Sequence, residues 1–258
     1  MRKLGWLVLV LITAVAGVVL FKTRPVRARG PHGPRKLLYM TMSAGFHHES
    51  VPLSTAIVKE IGEKSGVFET TVVDNVAPFT AENLRNYDAV MFYTTGELPF
   101  TEVQKTIFAG YVATGHGFIG VHSATDTCYM WEDYNKIIGG YFDGHPWHQQ
   151  VNVVVADQDD GITKFLGKSF TITDEIYQID DFRDDSHVLL RLDPMSVDRS
   201  KPGVHTRYYM WPLAWTRHYG KGRVFYTSLG HEDAVWRDSR FQQLLLNGIE
   251  WTMGELKQ

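Results

Sequence analysis

The chain has 258 residues, enough for one large domain or two small ones with a sizeable core. Apolar residues make up 44% and charged residues 21%, the balance of a folded soluble domain and not of a disordered one. A formal net charge of −3 at pH 7 leaves no basic footprint, so nucleic-acid binding is not expected.

The N-terminal stretch differs in kind from the rest. Arg2 and Lys3 precede an uncharged run from Leu4 to Phe21, which as a helix would reach about 27 Å and match the thickness of bilayer hydrocarbon. Ala14 and Ala16 form an A-x-A pattern that could be cut before Gly17, as in a secretory signal peptide; left uncut, the same run is a membrane anchor. Lys22, Arg24, Arg27 and Arg29 follow, so positive charge flanks both ends and gives no orientation. Residues 1–21 therefore read as a signal peptide or anchor and 22–35, rich in Pro, Gly and Arg, as a flexible tether. Either reading implies export to the periplasm, the medium or the outer face of a membrane, with membrane contact only through this segment. Cys128 is the single cysteine, so no internal disulfide is expected.

Beyond the tether, residues 36–256 alternate apolar β-branched runs with amphipathic stretches, the mark of βα units on a parallel sheet. Strands are expected at 37–44, 68–74, 88–95 and 117–124. A helix is expected over 50–66, with Ser50 as cap, Pro52 in its first turn and Gly66 as stop. A capped segment follows at 80–86 and a second helix at 101–115. The near-continuous apolar runs imply strands covered on both faces. After residue 140 the rhythm becomes β-rich at 151–156, 169–179 and 187–192, which reads as an antiparallel extension or insertion. Residues 214–230 read as a hairpin turning at Gly220 to Gly222, whose second arm could rejoin the main sheet, and 239–256 as a covering helix.

Ligands of open parallel sheets bind outside the carboxyl ends of the strands. Here those ends carry GFHHES (His47, His48, Glu49), TTGELP (Glu97), GVHSATDT (His122, Ser123, Asp126) and SLGHED (His231, Glu232, Asp233), and the Gly-rich segment GGYFDGHPWHQQ adds His145 and His148. Neutral imidazole is the commonest metal ligand and also titrates near neutral pH, so such a cluster can serve as a metal cage or a proton relay. The H-P-W-H spacing is not that of a helical metal motif, but its proline restrains the backbone and could fix Trp147 and His148 against a ligand. Trp147, Trp215 and Tyr177 offer ring faces for a sugar. Glu175 falls inside a predicted strand, where an acid is disfavoured unless something needs it. Structural readings compete. Strand-end histidines often only hydrogen-bond, Asp126 and Asp233 could be helix caps, and His187, His205 and His218 read as solvated or structural. The acidic run at Asp180, Asp181, Asp184 and Asp185 reads as a solvated loop without calcium-loop spacing.

Taken together, GFHHES, GHGFIGVHSATDT, GGYFDGHPWHQ, TDEIYQI and PLAWTRHYGKGRVFYTSLGHEDAVW resemble the ThuA-like family, named for trehalose utilisation, over about residues 36–254. The resemblance implies the class I glutamine amidotransferase-like fold, a flavodoxin-like α/β three-layer sandwich with a mostly parallel sheet and, here, a β-rich extension. Amidotransferases of this class carry a nucleophilic cysteine at a G-x-C-x-G elbow. The corresponding run is Gly120-Val121-His122-Ser123-Ala124, with His122 in the cysteine's place. Cys128 lies six residues on and cannot reach the elbow, so a thiolate glutaminase is not expected.

The resemblance implies instead an enzyme acting on a sugar or keto-sugar, by isomerisation, epimerisation, elimination or hydrolysis, with a small carbohydrate as partner. His122, Glu175, His231 and Asp126 are the candidate catalytic residues. His48, His145 and His148 are candidate ligands for a divalent metal, zinc first, and His47, Glu97, Trp147, Tyr177 and Trp215 are candidate substrate contacts. No nucleotide cofactor is expected. The alternatives are a noncatalytic carbohydrate-binding or scaffold module on the same fold, and a hydrolase using Ser123.

Overall fold

The computed structural model describes residues 33–207 and 210–256. The expected signal peptide or anchor, and nearly all of the tether, lie outside the described residues. No helix among the described residues is long and apolar enough to cross a membrane.

The elements in chain order are β1 (Arg35–Met40), α1 (Val51–Ser65), β2 (Phe68–Val73), α2 (Ala81–Leu84), β3 (Ala89–Phe92), α3 (Glu102–Ala113), β4 (Gly117–Val121), α4 (Glu132–Ile138), β5 (Tyr141–Phe142), β6 (Trp147–Val155), β7 (Ser169–Ile176), β8 (Ile179–Asp180), β9 (His187–Leu192), β10 (Pro212–Tyr219), β11 (Gly222–Thr227), α5 (Asp233–Arg237) and α6 (Ser239–Thr252). Nine strands form one sheet in the order β2-β1-β3-β4-β11-β10-β9-β6-β7, and β5 pairs β8 apart from it. From β2 to β11 the pairing is parallel. From β11 outward it is antiparallel. The β-rich half is thus an extension of the main sheet, and the hairpin's second arm, β11, does rejoin it beside β4.

Strand alternation divides the core in two. Leu37, Tyr39, Met91, Ile119 and Phe225 face α1, α5 and α6, while Leu38, Met40, Phe92, Phe118 and Tyr226 face α2, α3 and α4. The result is a three-layer sandwich whose central strands are apolar on both sides.

Local chemistry sets the helix ends. Gly66 ends α1 at φ +67°, a conformation that costs glycine little. Thr80 caps α2, and Thr101 with Gln104 forms a capping box on α3. Ser50 differs from expectation: it sits at the cap position, but its hydroxyl pairs with Tyr93 Oη at 2.8 Å instead of capping the helix. Sequence patterning did not indicate α4, α5 or the β5–β8 ladder, which are too short to show a period.

Helix α6 lies on β11 at Gly248, where an added Cβ would come within 2.3 Å of the Phe225 ring. Gly248→Ala would gain about 1 kcal/mol of helix propensity but cost about 1–3 kcal/mol through overpacking. The expected net is a loss of up to about 2 kcal/mol, read as a lower urea midpoint with an unchanged slope.

Candidate metal centre

Strand β4 ends at Val121, and His122 turns the chain at φ +46°, a left-handed conformation that residues other than glycine adopt only at a cost. A short 3-10 turn over His122–Thr125 follows. The strain is held by specific bonds. Tyr226 Oη donates to the His122 carbonyl at 2.7 Å, and His122 Nδ1 lies 2.7 Å from the carbonyl of Ser228, just past the end of the neighbouring strand β11. A carbonyl only accepts, so Nδ1 carries the proton and Nε2 of the neutral ring is left with a lone pair. That lone pair points to His231 Nδ1 at 3.3 Å and Glu175 Oε2 at 3.5 Å, with His122 fully buried.

Glu175 and its neighbour Asp174, near the end of β7, hold the other side. The fully buried Asp174 carboxyl accepts the backbone N–H groups of Gly230, His231 and Glu232 at 2.7, 3.1 and 3.2 Å. Tyr93 Oη and Trp236 Nε1 both donate to the Gly230 carbonyl, so the turn that carries His231 is fixed from two directions. Glu175 Oε2 lies 3.3 Å from His231 Nδ1, and Oε1 lies 3.1 Å from His145 Nδ1. Burial alone would raise the Glu175 carboxyl, but in the metal-free site hydrogen bonds and charge attraction from the protonated forms of His122 and His231 outweigh it and hold the group well below the usual carboxylate range. The same pairing raises His231 above its ordinary value.

His48 completes the group from the loop before α1. Its buried ring lies edge-on to His122 at 4.9 Å and to His231 at 5.2 Å. Desolvation, with repulsion from those two imidazoles, lowers its pKa to about 3, so it is neutral at physiological pH. One ligand atom from each of His48, His122, Glu175 and His231 lies within 4.8 Å of every other.

This group could hold a metal ion, and the residues fit one. A carboxylate oxygen and an imidazole lone pair face each other 3.5 Å apart in a buried site, an arrangement that a cation between them relieves. The outward N–H of His122 on a backbone carbonyl is the orientation that metal-ligating imidazoles need. Three imidazoles and one carboxylate form a donor set for a transition metal and not for calcium or magnesium.

The structure thus brings together His48, His122, Glu175 and His231, with His145 touching Glu175 from a more exposed position. His148 lies at the rim, 2.6 Å from Glu232 Oε1 and with its ring 5.2 Å from that of His231; these three form a second, overlapping group of potential ligands. Asp126 is partly buried, accepts Tyr129 Oη at 2.7 Å, and is raised in pKa chiefly by burial. Glu97 Oε1 accepts the Met130 N–H, and His47 is exposed beside His48.

Two expected sugar platforms are corrected. Trp147 opens β6, where alternation turns it inward while His148 turns out; it is fully buried against Trp211 and donates to the Asp198 carbonyl. Trp215 lies on β10 between β11 and β9, fully buried against Tyr226, and donates to the Ile138 carbonyl. Neither has a free face. Tyr177 is also buried, with its ring between His122 and Phe142. Ser123 is fully buried with no partner for its hydroxyl, which puts it out of a substrate's reach. Burial also pushes the Cys128 thiol up to about 12, which removes any thiolate. Asp185 is not simply solvated, since it pairs with the buried Arg217.

Sequence reasoning passed over Asp174, although an acid inside a strand was as visible there as at Glu175. It also passed over Phe46, which stands 62% exposed at the mouth with its ring 4.8 Å from that of His48. No sequence pattern separates such a rim aromatic from a core one.

The architecture and the elbow define a class: flavodoxin-like α/β proteins that carry a histidine at the strand-to-helix turn. Within that class the chain belongs to the ThuA family, described as trehalose utilisation, which matches residues 36–252. Membership points to a carbohydrate-related role. Comparison with curated protein sequences gives no match. Among solved structures, a ThuA-like protein from Bacteroides uniformis superposes with TM-score 0.71 at 24% identity, covering 88% of this chain and 94% of that one. A ThuA-like protein from Parabacteroides merdae gives 0.68 at 23%, covering 87% and 92%. A beta-galactosidase from Bacillus circulans sp. alkalophilus gives 0.55 at 15%, covering 86% of this chain and 31% of that one. At these identities the likeness is one of fold.

Because the folded pKa of His231 exceeds its unfolded value, the stabilisation from Glu175 is fully present below about pH 6.5 and lost as pH rises through the folded value. In metal-free protein, Glu175→Gln is expected to move the His231 NMR titration to lower pH. An unmoved titration would show that the carboxylate does not act on this ring.

Proposed function

We propose that this chain is an enzyme of carbohydrate metabolism that acts on a sugar or keto-sugar, with a divalent metal, zinc first, held by His48, His122, Glu175 and His231. The observation that carries the reading is the buried, tautomer-fixed Nε2 of His122 facing the Glu175 carboxylate. A bound ion would polarise a carbonyl or hydroxyl oxygen.

The remaining chemistry belongs to the chain. Glu175 stays ionised and orients His231 and His145 through its two oxygens. The half-exposed His145 reaches from Glu175 toward solvent and can carry a proton between them. His148 with Glu232 forms a second imidazole–carboxylate pair at the rim. Phe46 and Tyr129, both exposed at the mouth, supply ring faces on which a sugar could lie. Proton movement next to a polarised oxygen suits isomerisation, epimerisation, elimination or hydrolysis. Export, by cleavage of residues 1–21 or by anchoring through them, belongs to the same proposal.

Metal analysis tests it on protein purified without a histidine tag. About one transition-metal ion per chain is expected, lost in His122→Ala. Metal-free protein that binds sugars without turning them over would instead identify a noncatalytic carbohydrate-binding module. On a keto-sugar substrate, Glu175→Gln is expected to lower kcat by about 10²–10⁴-fold. Activity retained in that variant would remove Glu175 from the mechanism.

A further inference from the structure

A second proton-carrying group stands in the cleft apart from the four putting nitrogen and oxygen toward a metal. The backbone of Asp126 is fixed, its carbonyl accepting the Gly96 N–H at 2.7 Å and its own N–H donating to Ser123 at 2.8 Å. Its Oδ1 lies 2.7 Å from Tyr129 Oη, while Oδ2 makes no hydrogen bond with any described residue. The same phenol oxygen lies 3.1 Å from the Phe142 carbonyl, which can only accept. Tyr129 has one proton and two acceptors. Its hydroxyl can therefore turn to the carboxylate when Asp126 is ionised and to the Phe142 carbonyl when it is neutral.

Resting on the sugar-enzyme reading of this cleft, we propose that Asp126 is the general acid–base residue that exchanges a proton with the substrate, and that Tyr129 is its positioning residue. In the acid direction the O–H bond on Asp126 Oδ2 breaks, the proton bonds to a substrate oxygen, and the electron pair stays on the carboxylate. Tyr129 then donates to Oδ1. The base direction is the reverse, so the group is restored without any further reactant. The groups that face this pair are His122 beyond β4, His145 and Asp143 between β5 and β6, Glu175 on β7 and Tyr226 on β11. Asp143 is itself paired with His205 and Arg207.

Burial raises the Asp126 carboxyl, and the Tyr129 hydrogen bond partly offsets that.

The test is a ¹³C carboxyl NMR titration of the full chain, with the Asp126 signal assigned by Asp126→Asn. The Asp126 titration is expected above the ordinary aspartate value of about 3.9, and Tyr129→Phe is expected to move it higher still. A tyrosine that only packs beside the carboxylate without donating to it would leave it in place. In kinetics, Asp126→Asn is expected to lower kcat by at least about 10²-fold with metal content unchanged. A titration at or below the ordinary value, or one that Tyr129→Phe leaves unmoved, overturns the proposal. The titration needs neither metal nor substrate, so its outcome is separable from that of the metal reading.

Discussion

A carboxylate buried in protein must be met by donors or cations, because leaving it alone costs several kcal/mol. In this molecule Glu175 is met by imidazoles from three other places in the chain: His122 after β4, His145 before β6 and His231 after β11. In sheet order β7 is five strands away from β4. At the usual strand spacing a flat sheet would hold them about 24 Å apart. A distance of 3.5 Å between Glu175 and His122 therefore requires the antiparallel half of the sheet to coil back over the ends of the parallel half. The cleft is a product of that coiling.

Asp174 shows how adjacent residues on one strand divide the labour. Its buried carboxyl is spent on three backbone N–H groups and holds the turn, while Glu175 next to it holds the side chain that the turn presents. The elbow is built with similar economy. Two hydrogen bonds reach His122 from β11 and the residue just past it, one fixing its carbonyl and one its tautomer. The strained turn that elsewhere raises a cysteine above the sheet here raises an imidazole, and the one cysteine of the chain is buried as a neutral thiol.

The mouth of the cleft has a different character from its floor. The floor is polar, buried and held by neighbours on all sides, whereas Phe46 and Tyr129 at the rim keep large parts of their rings in solvent. In the proposed reading, the exposed rings would meet the apolar face of a sugar and the polar floor its hydroxyl groups. The two tryptophans that composition alone marks as sugar platforms are instead part of the packed core, where their volume and single N–H donors are fully used.

Much of this was legible in the residues. Apolar runs at βα spacing determined the parallel sheet, Gly66 determined the end of the first helix, and an acid inside a strand at Glu175 announced a buried partner. Strand exits rich in histidine pointed to one end of the sheet, where strand ends and helix starts converge, and His48, His122 and His231 do meet there. What the sequence could not determine was which imidazoles meet. His48 and His47 are neighbours, yet only His48 points inward, and His148 is separated from His122 by the rim even though both follow glycine-rich runs. Trp147 and His148 take opposite faces of one strand, which depends on register and not on composition. Side-chain convergence is a property of how the sheet coils and where each strand stops, and those quantities are set by the whole packed core.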